Sequence, residues 1–119
     1  NFSEEREAKT FLQLLRTQQY QDAYRMWGCT EEHPCPNYSF TAFHDDWAPG
    51  SAHPDAATAT VGSVDACGSG VLIQVNYARS QPVALWVERK SHILSFSPWP
   101  ECPGRRWRFG AFFHSLVGK

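Results

Sequence analysis

Residues Ser3 to Trp27 read SEEREAKTFLQLLRTQQYQDAYRMW, and the rest of the chain is predicted to fold around this stretch. Its apolar residues form two sets with the spacing i, i+3, i+4, i+7, which places each set on one stripe of a helix. The first set is Ala8, Phe11, Leu12 and Leu15, and the second is Tyr20, Ala23, Tyr24 and Trp27. In one straight helix the two stripes would point about a third of a turn apart. The pattern therefore predicts two helices that share one core, with a break near residues 16–19.

Three small residues fit the ends of the predicted helices. Ser3, followed by acidic residues, fits the N-terminal cap of the first helix, because its oxygen can accept a backbone hydrogen bond and the acidic side chains complement the helix dipole. Gly28 fits the C-terminal cap of the second helix. Ser39 fits the N-terminal cap of a short third helix. The buried stripe of that helix would comprise Phe40, Phe43 and Trp47.

From Ala56 onward the apolar period changes from helical to two, which is typical of strands with one buried face. The predicted strands cover residues 58–66, 71–78, 83–88 and 94–97. Short turns that contain glycine, proline or polar residues separate them, so we expect an antiparallel meander. Gly62 predicts a bulge or bend in the first strand, which is the weakest of the four.

The composition fits one folded domain over residues 1–119. Hydrophobic residues make up 42% of the chain and aromatic residues 14%, which is enough for a single core and excludes a disordered segment. The formal net charge is −1, whereas nucleic-acid-binding domains usually carry a basic excess. No apolar run approaches the roughly 18 residues of a membrane-spanning helix. We therefore expect no nucleic-acid partner and no membrane span.

Four cysteines, at positions 29, 35, 67 and 102, lie in turn-like contexts beside glycine or proline or at a helix end. An even number of cysteines in such places favours disulfides, and hence an exported protein, over free thiols. Zinc binding is the alternative. Only Cys29 and Cys35 are close in sequence, His33 lies between them, and a fourth ligand at suitable spacing is missing. Of the three possible pairings we favour Cys29–Cys35 as a local clip. Cys67–Cys102 then follows by elimination.

The second pairing raises a geometric difficulty. Cys67 is expected at the tip of the first hairpin, whereas Cys102 follows the fourth strand. In a flat meander these positions lie at opposite ends of the sheet. The pairing therefore requires either strong curvature of the sheet or a chain that folds back along its edge.

Residues 104–119 form an aromatic and basic C-terminal extension, which starts GRRWRFGAFF. Basic residues interleaved with aromatic ones suit a contact with nucleic acid or with a membrane surface. The alternative, which we favour, is a final strand or short helix that packs on the body of the domain. Packing across a homodimer interface would also fit this composition.

Three segments of the chain resemble the nuclear transport factor 2-like superfamily, which includes polyketide cyclases and ketosteroid isomerase. They are residues 11–24 (FLQLLRTQQYQDAY), residues 38–43 (YSFTAF) and residues 83–98. The resemblance covers residues 3–100 and implies a cystatin-like cone. This is an α+β fold in which N-terminal helices pack on a strongly curved antiparallel sheet of about four strands. It leaves a pocket between the helices and the concave face of the sheet.

A pocket of this kind suggests two sets of site residues. A small apolar ligand would contact the large aromatic residues Trp27, Phe43, Trp47, Tyr77 and Trp86. The candidates for catalysis are His44 and Asp46, with Asp45, His53 and Asp55 nearby. A histidine close to a carboxylate can act as a general base. Successive helical residues point about 100° apart, however, so His44, Asp45 and Asp46 cannot all face one pocket.

No motif in the sequence identifies a reaction. There is no glycine-rich phosphate loop, serine elbow or HExxH motif, so we expect no cofactor and no metal. Our leading hypothesis is a non-catalytic, exported domain that binds a small apolar ligand or a protein partner in the cone pocket or on the sheet face. One alternative is a small lyase or isomerase that uses a pocket histidine or aspartate. The other is a structural module that forms a homodimer through the sheet face or the C-terminal tail.

Overall fold

A computed structural model of the protein describes residues 2–49 and 56–102. The helices in these ranges are α1 (Phe2–Arg16), α2 (Tyr20–Arg25) and α3 (Phe40–Trp47). The strands are β1 (Thr60–Cys67), β2 (Gly70–Asn76), β3 (Val83–Glu88) and β4 (Leu94–Phe96). The prediction of an α+β fold with N-terminal helices and a four-stranded antiparallel sheet is confirmed. The strong curvature of the sheet, and with it the cone shape, stays a prediction.

The predicted break between the two leading helices is confirmed, and it has the geometry of a Schellman motif. The Gln19 N–H donates to the carbonyl oxygen of Leu14 at 2.8 Å, and the Gln18 N–H donates to that of Leu15 at 3.1 Å. Gln18 adopts the left-handed conformation, with a φ of 58°. Glycine is usual at this position of the motif, because most residues with a Cβ are strained in this conformation. The chain then restarts a helix at Tyr20 with its apolar stripe turned toward the same core.

Of the three predicted helix caps, one is confirmed. The Ser39 hydroxyl accepts a hydrogen bond from the Ala42 N–H at 3.1 Å, so the predicted cap of α3 is confirmed. The prediction for Gly28 is wrong, because the C-terminal cap of α2 is Met26. Gly28 instead ends the turn that follows α2, with a φ of 82° and an N–H that donates to the Arg25 carbonyl oxygen at 2.9 Å. The prediction for Ser3 is wrong, since α1 already begins at Phe2. Ser3 is thus the second residue of α1 and cannot be its cap, whereas the acidic residues Glu4 and Glu5 lie in the first turn and complement the helix dipole.

The four strands are hydrogen-bonded in the order β1-β2-β3-β4, so the predicted meander is confirmed. The inner face of the sheet is lined by directly opposite pairs of branched residues, Val71 with Val87, Ile73 with Leu85, and Val75 with Val83. These residues are buried and belong to the same cluster as the apolar stripes of α1 and α2. The core of the protein therefore lies between α1 and one face of the sheet.

The start of β1 differs from the prediction by two residues. Residues 56–58 form a 3₁₀ turn, and the strand begins at Thr60. The Arg16 guanidinium donates a hydrogen bond to the carbonyl oxygen of Ala59, which holds this segment against the end of α1. Strand pairing begins only after that contact. The bulge predicted at Gly62 is confirmed by a shift in the pairing register at that point.

Both predicted disulfides are present. Cys29 pairs with Cys35 at a Cα–Cα distance of 5.3 Å, and Cys67 pairs with Cys102 at 5.7 Å. None of the four cysteines is free. The first bridge closes the loop between α2 and α3, and the second joins the β1–β2 hairpin to the chain beyond β4.

The second disulfide can form because residues 97–102 cross the outer face of the sheet. We call these residues the covering segment. Trp99 packs edge-on against Trp86 with a centroid distance of 5.6 Å. The sulfur of Cys102 lies 3.3 Å from the carbonyl oxygen of Ala66. Cys67, Leu72, Trp86 and Cys102 form a second, smaller apolar cluster on the outer face. The chain thus folds back over the sheet, and the pairing does not depend on strong curvature.

We predict that Gly70→Ala destabilises the protein. A Cβ at position 70 would run into the indole ring of Trp86, which lies over this glycine. Overpacking of this kind costs about 1–3 kcal/mol, which urea denaturation would measure. Gly68→Asn is the matched control, because a Cβ added at Gly68 would meet no atom within 4 Å and asparagine tolerates its φ of 58°. Equal losses in the two variants would contradict this interpretation of Gly70.

We also predict that Gln18→Gly leaves the protein at least as stable as the parent. Relief of the left-handed strain is offset in part by the greater freedom of glycine in the unfolded chain, so the expected gain is up to about 1 kcal/mol. Gln19 has an ordinary φ of −94°, so Gln19→Gly should instead lose roughly 0.5–1 kcal/mol. Thermal and urea denaturation of the pair provide the measurement. A similar loss in both variants would show that Gln18 is not strained.

Candidate functional site

Three of the aromatic residues predicted to bind a ligand lie in the core. Trp27, Phe43 and Trp47 are buried, and all three contact the ring of Phe11. The Trp27 and Phe43 rings also contact each other, with a centroid distance of 5.9 Å. These side chains therefore pack against one another between the helices and the sheet. Their role in ligand binding stays a prediction.

The other two predicted ligand-binding residues lie elsewhere. Tyr77 follows β2 and is half-buried against the same core, and its burial raises the pKa of the phenol to about 12. Trp86 projects from the outer face of the sheet, where its indole N–H donates to the carboxylate of Glu88 at 2.6 Å. Trp99 of the covering segment packs on it. The sheet separates Trp86 from the other four residues, so the five do not line one pocket.

The carboxylate of Asp46, one of the two catalytic candidates, is bound by a tyrosine. The Tyr38 hydroxyl donates to Asp46 at 2.7 Å and accepts a hydrogen bond from the indole N–H of Trp47 at 3.0 Å. Burial, and the nearby Asp46 carboxylate, raise the pKa of Tyr38 well above its ordinary value. The Tyr24 hydroxyl in turn donates to the Tyr38 carbonyl oxygen at 2.6 Å and accepts from the Cys35 N–H at 3.1 Å. These bonds join the disulfide loop to α3.

His44, the other catalytic candidate, lies in an open groove that we call the elbow groove. This cavity of about 410 Å³ is lined by Gln18, Gln19, Tyr20, Gln21, Asp22, Phe40 and His44. It lies where α1 turns into α2 and extends to α3. The rings of Tyr20 and His44 meet edge-to-face at 4.9 Å, and the ring of Phe40 lies 6.1 Å from that of His44.

The remaining lining of the elbow groove is polar. The side-chain amide of Gln19 donates to the Thr17 hydroxyl at 2.7 Å, and that of Gln21 donates to the carboxylate of Glu31. Asp22 accepts from Arg25 at 3.1 Å. A smaller cavity of about 170 Å³ lies next to the groove and shares Gln18 and Tyr20 with it. The side chains of the helix break therefore line two adjacent depressions.

Sequence reasoning located His44 but missed the groove. Its glutamines lie between the two apolar stripes, where the helical period is interrupted, and polar residues at a break carry no signal for binding. The interruption itself was the usable signal, since a helix that ends and restarts exposes the side chains of the connection. The hydroxyl groups of Tyr24 and Tyr38 were also missed, because Tyr24 was considered only as an apolar member of a helix stripe and Tyr38 was given no separate role.

The structure does not provide the geometry that catalysis was expected to require. An acid or base would have to face a closed apolar pocket, but His44 is exposed in an open groove and Asp46 is bound by Tyr38. His53 and Asp55 lie outside the described residues, as does the C-terminal extension, residues 104–119. Within residues 2–49 and 56–102, no group of three or more potential ligands could hold a metal ion. No helix in those ranges is long and apolar enough to cross a membrane.

The chain matches no protein-family model, and comparisons with curated proteins and with solved structures also find no match. The resemblance to the nuclear transport factor 2-like superfamily therefore stays a prediction. Function is inferred from the geometry of the chain itself.

We predict a loss of stability at alkaline pH that depends on Tyr77. The pKa of Tyr77 is raised from 10.0 to about 12 in the folded protein. The contribution of the neutral phenol to the free energy of unfolding is therefore complete below pH 10 and is lost as the pH rises through 12. Tyr77→Phe removes this group and should reduce the decline in the free energy of unfolding by on the order of 1–2 kcal/mol. Urea denaturation at pH 7, 10 and 11.5 would measure it. A parallel decline in the variant and the parent would assign the alkaline loss to other groups.

Proposed function

We propose that this chain is a non-catalytic, exported binding domain, and that the elbow groove is its binding surface. The observation that carries the proposal is the groove itself. It combines exposed amides from the helix break with half-buried rings from α2 and α3. Small-molecule sites are concave, measure roughly 300–1,000 Å³ and present a few polar groups beside apolar ones. The elbow groove meets the criterion of size, but its lining is more polar than that of most such sites.

The burial of the aromatic residues favours the groove over an interior pocket. Phe43 is 0% exposed and Trp47 is 1% exposed. An apolar ligand between the helices and the sheet would have to displace such side chains from close packing, and the loss of a buried aromatic residue costs about 3–5 kcal/mol. The groove needs no such rearrangement. The proposed ligand is therefore one that matches a polar lining.

Export is the second part of the proposal. The two disulfides support it, because disulfides persist in oxidising compartments and are rare in reducing ones. The Cys29–Cys35 bridge adjoins the Tyr24–Tyr38 hydrogen bonds that position α3. Oxidation of the chain is therefore expected to favour the geometry of the groove.

The alternatives have less support in the part of the chain that the structure describes. A homodimer through the sheet face would use its apolar outer residues, but the covering segment already packs on Trp86. A lyase or isomerase would need His44 or Asp46 in a closed site, which the geometry of neither residue supports. Dimer formation through residues 104–119 would use residues outside the described ranges.

A fragment screen by NMR tests the proposed function. In ¹H–¹⁵N spectra of the full chain, a library of small polar fragments should perturb residues 18–22, 40 and 44 preferentially. His44→Ala should weaken the best fragments by about tenfold, the equivalent of one lost hydrogen bond. Because the imidazole also contacts the Tyr20 ring, a small fall in melting temperature is expected, and thermal denaturation checks that the variant stays folded.

His33→Ala is the matched control, since His33 is an equally exposed histidine in the disulfide loop, away from the groove. It should leave fragment binding unchanged. If the fragments bind to the outer face of the sheet, or do not bind at all, the elbow groove is not the binding surface.

A further inference from the structure

We infer that the ligand of the elbow groove is a neutral saccharide. The inference rests on the proposed function and names the chemical class that this lining would select. It follows from three properties of the groove: its hydrogen-bonding groups, its charge and the arrangement of its rings.

The hydrogen-bonding groups are amides that can both donate and accept. Gln19 and Gln21 each use one amide N–H internally, toward Thr17 and Glu31. Each keeps a carbonyl oxygen, which accepts, and a second N–H, which donates. Gln18 adds a third exposed amide at the break. A sugar hydroxyl also donates once and accepts twice, so a row of hydroxyls on adjacent carbons can pair with a row of amides.

The charge of the lining argues against ionic ligands. Among the described residues, no lysine or arginine lines the groove, so a phosphate or carboxylate would lack a cationic partner in that lining. Asp22 is the one carboxylate of the described lining, and it is paired with Arg25 at 3.1 Å. A cationic ligand would have to compete with that pair. A ligand without charge encounters neither difficulty.

The aromatic rings give the groove an apolar wall of limited size. Tyr20 and Phe40 are half-buried, so part of each ring is accessible beside the amides. One face of a pyranose ring carries several C–H groups, and such a face can pack on an aromatic ring while the hydroxyls at the rim bond to polar groups. The groove therefore offers an apolar surface for the C–H face of a sugar and polar groups for the hydroxyls at its rim.

A peptide is the closest competitor, and the geometry favours it less. A peptide that binds as an added strand requires an unpaired sheet edge on the protein. A peptide that binds as an amphipathic helix requires an apolar groove, and an acidic peptide requires clustered arginines. The lining described for the elbow groove, which is helical and largely polar, offers none of these. Proline-rich peptides dock between aromatic ridges, but Tyr20 and His44 meet edge-to-face at an interplanar angle of 71° and do not form parallel ridges.

The test is a titration of the ¹⁵N-labelled full chain with cellotriose, chitotriose and maltotriose, and separately with a proline-rich decapeptide. We expect at least one trisaccharide to give saturable shifts at residues 18–22, 40 and 44, with a dissociation constant in the millimolar range or below. The decapeptide should leave these signals unchanged.

Gln18→Gly is the decisive variant, because it removes an amide from the groove while relieving the strain at a left-handed position. It should weaken trisaccharide binding by about tenfold without lowering the melting temperature, so a failure to fold cannot explain the loss. Gln81→Ala, which changes an exposed glutamine in the β2–β3 connection, should bind as the parent does.

The outcomes separate the two proposals. If the decapeptide perturbs the groove and no trisaccharide does, the saccharide inference is overturned and the binding function of the groove stands. If a trisaccharide binds but shifts residues outside the groove, or if Gln18→Gly binds it as tightly as the parent, the inference also falls. If neither class of probe perturbs the groove and the fragment screen is negative, both proposals fall.

Discussion

The contact on which the rest of the structure depends is the burial of Phe11 among the aromatic residues of the other helical segments. Its ring centroid lies 6.0 Å from that of Trp27, 6.1 Å from that of Phe43 and 5.1 Å from that of Trp47. Burying a phenylalanine contributes about 1.5–3 kcal/mol, and each aromatic pair adds about 0.5–1.5 kcal/mol. Since α1 also packs on the sheet, the helix that carries Phe11 joins the other helical segments to the strands.

The break at residues 16–19 makes that arrangement possible. Without it, the second apolar stripe would turn away from the first, and Trp27 could not reach Phe11. The left-handed residue that ends α1 is Gln18, and the polar side chains of the connection are left on the outside of the turn. The elbow groove is therefore a consequence of how two apolar stripes are brought to one core. A single feature of the backbone accounts for both the packing and the candidate site.

The two disulfides act on different parts of the protein: Cys29 belongs to the central core, whereas Cys67 and Cys102 belong to the smaller cluster on the outer face of the sheet. Cys29–Cys35 closes the loop that carries Tyr38, whose hydroxyl bonds to Asp46 of α3. The bridge from Cys67 holds the covering segment on the outer face of the sheet. In a chain of 119 residues the core is of limited size, and closing a loop of about 35 residues adds on the order of 3–4 kcal/mol in the chain-entropy model.

The sequence by itself determined the main elements of this protein, including the helix break, the Ser39 cap and the meander, whereas the Cys67–Cys102 pairing was favoured only by elimination. These features follow from local signals, because apolar period and capping chemistry depend on residues only a few positions apart. Only the tertiary structure decided that Trp86 lies across the sheet from Trp27, that Asp46 is bound by Tyr38 and that the glutamines of the break line a groove. The alternation of apolar and polar residues along a strand defines the two faces of the sheet. It does not indicate which distant segment covers each face. That choice is made by contacts between residues far apart in the chain, and no local pattern encodes it.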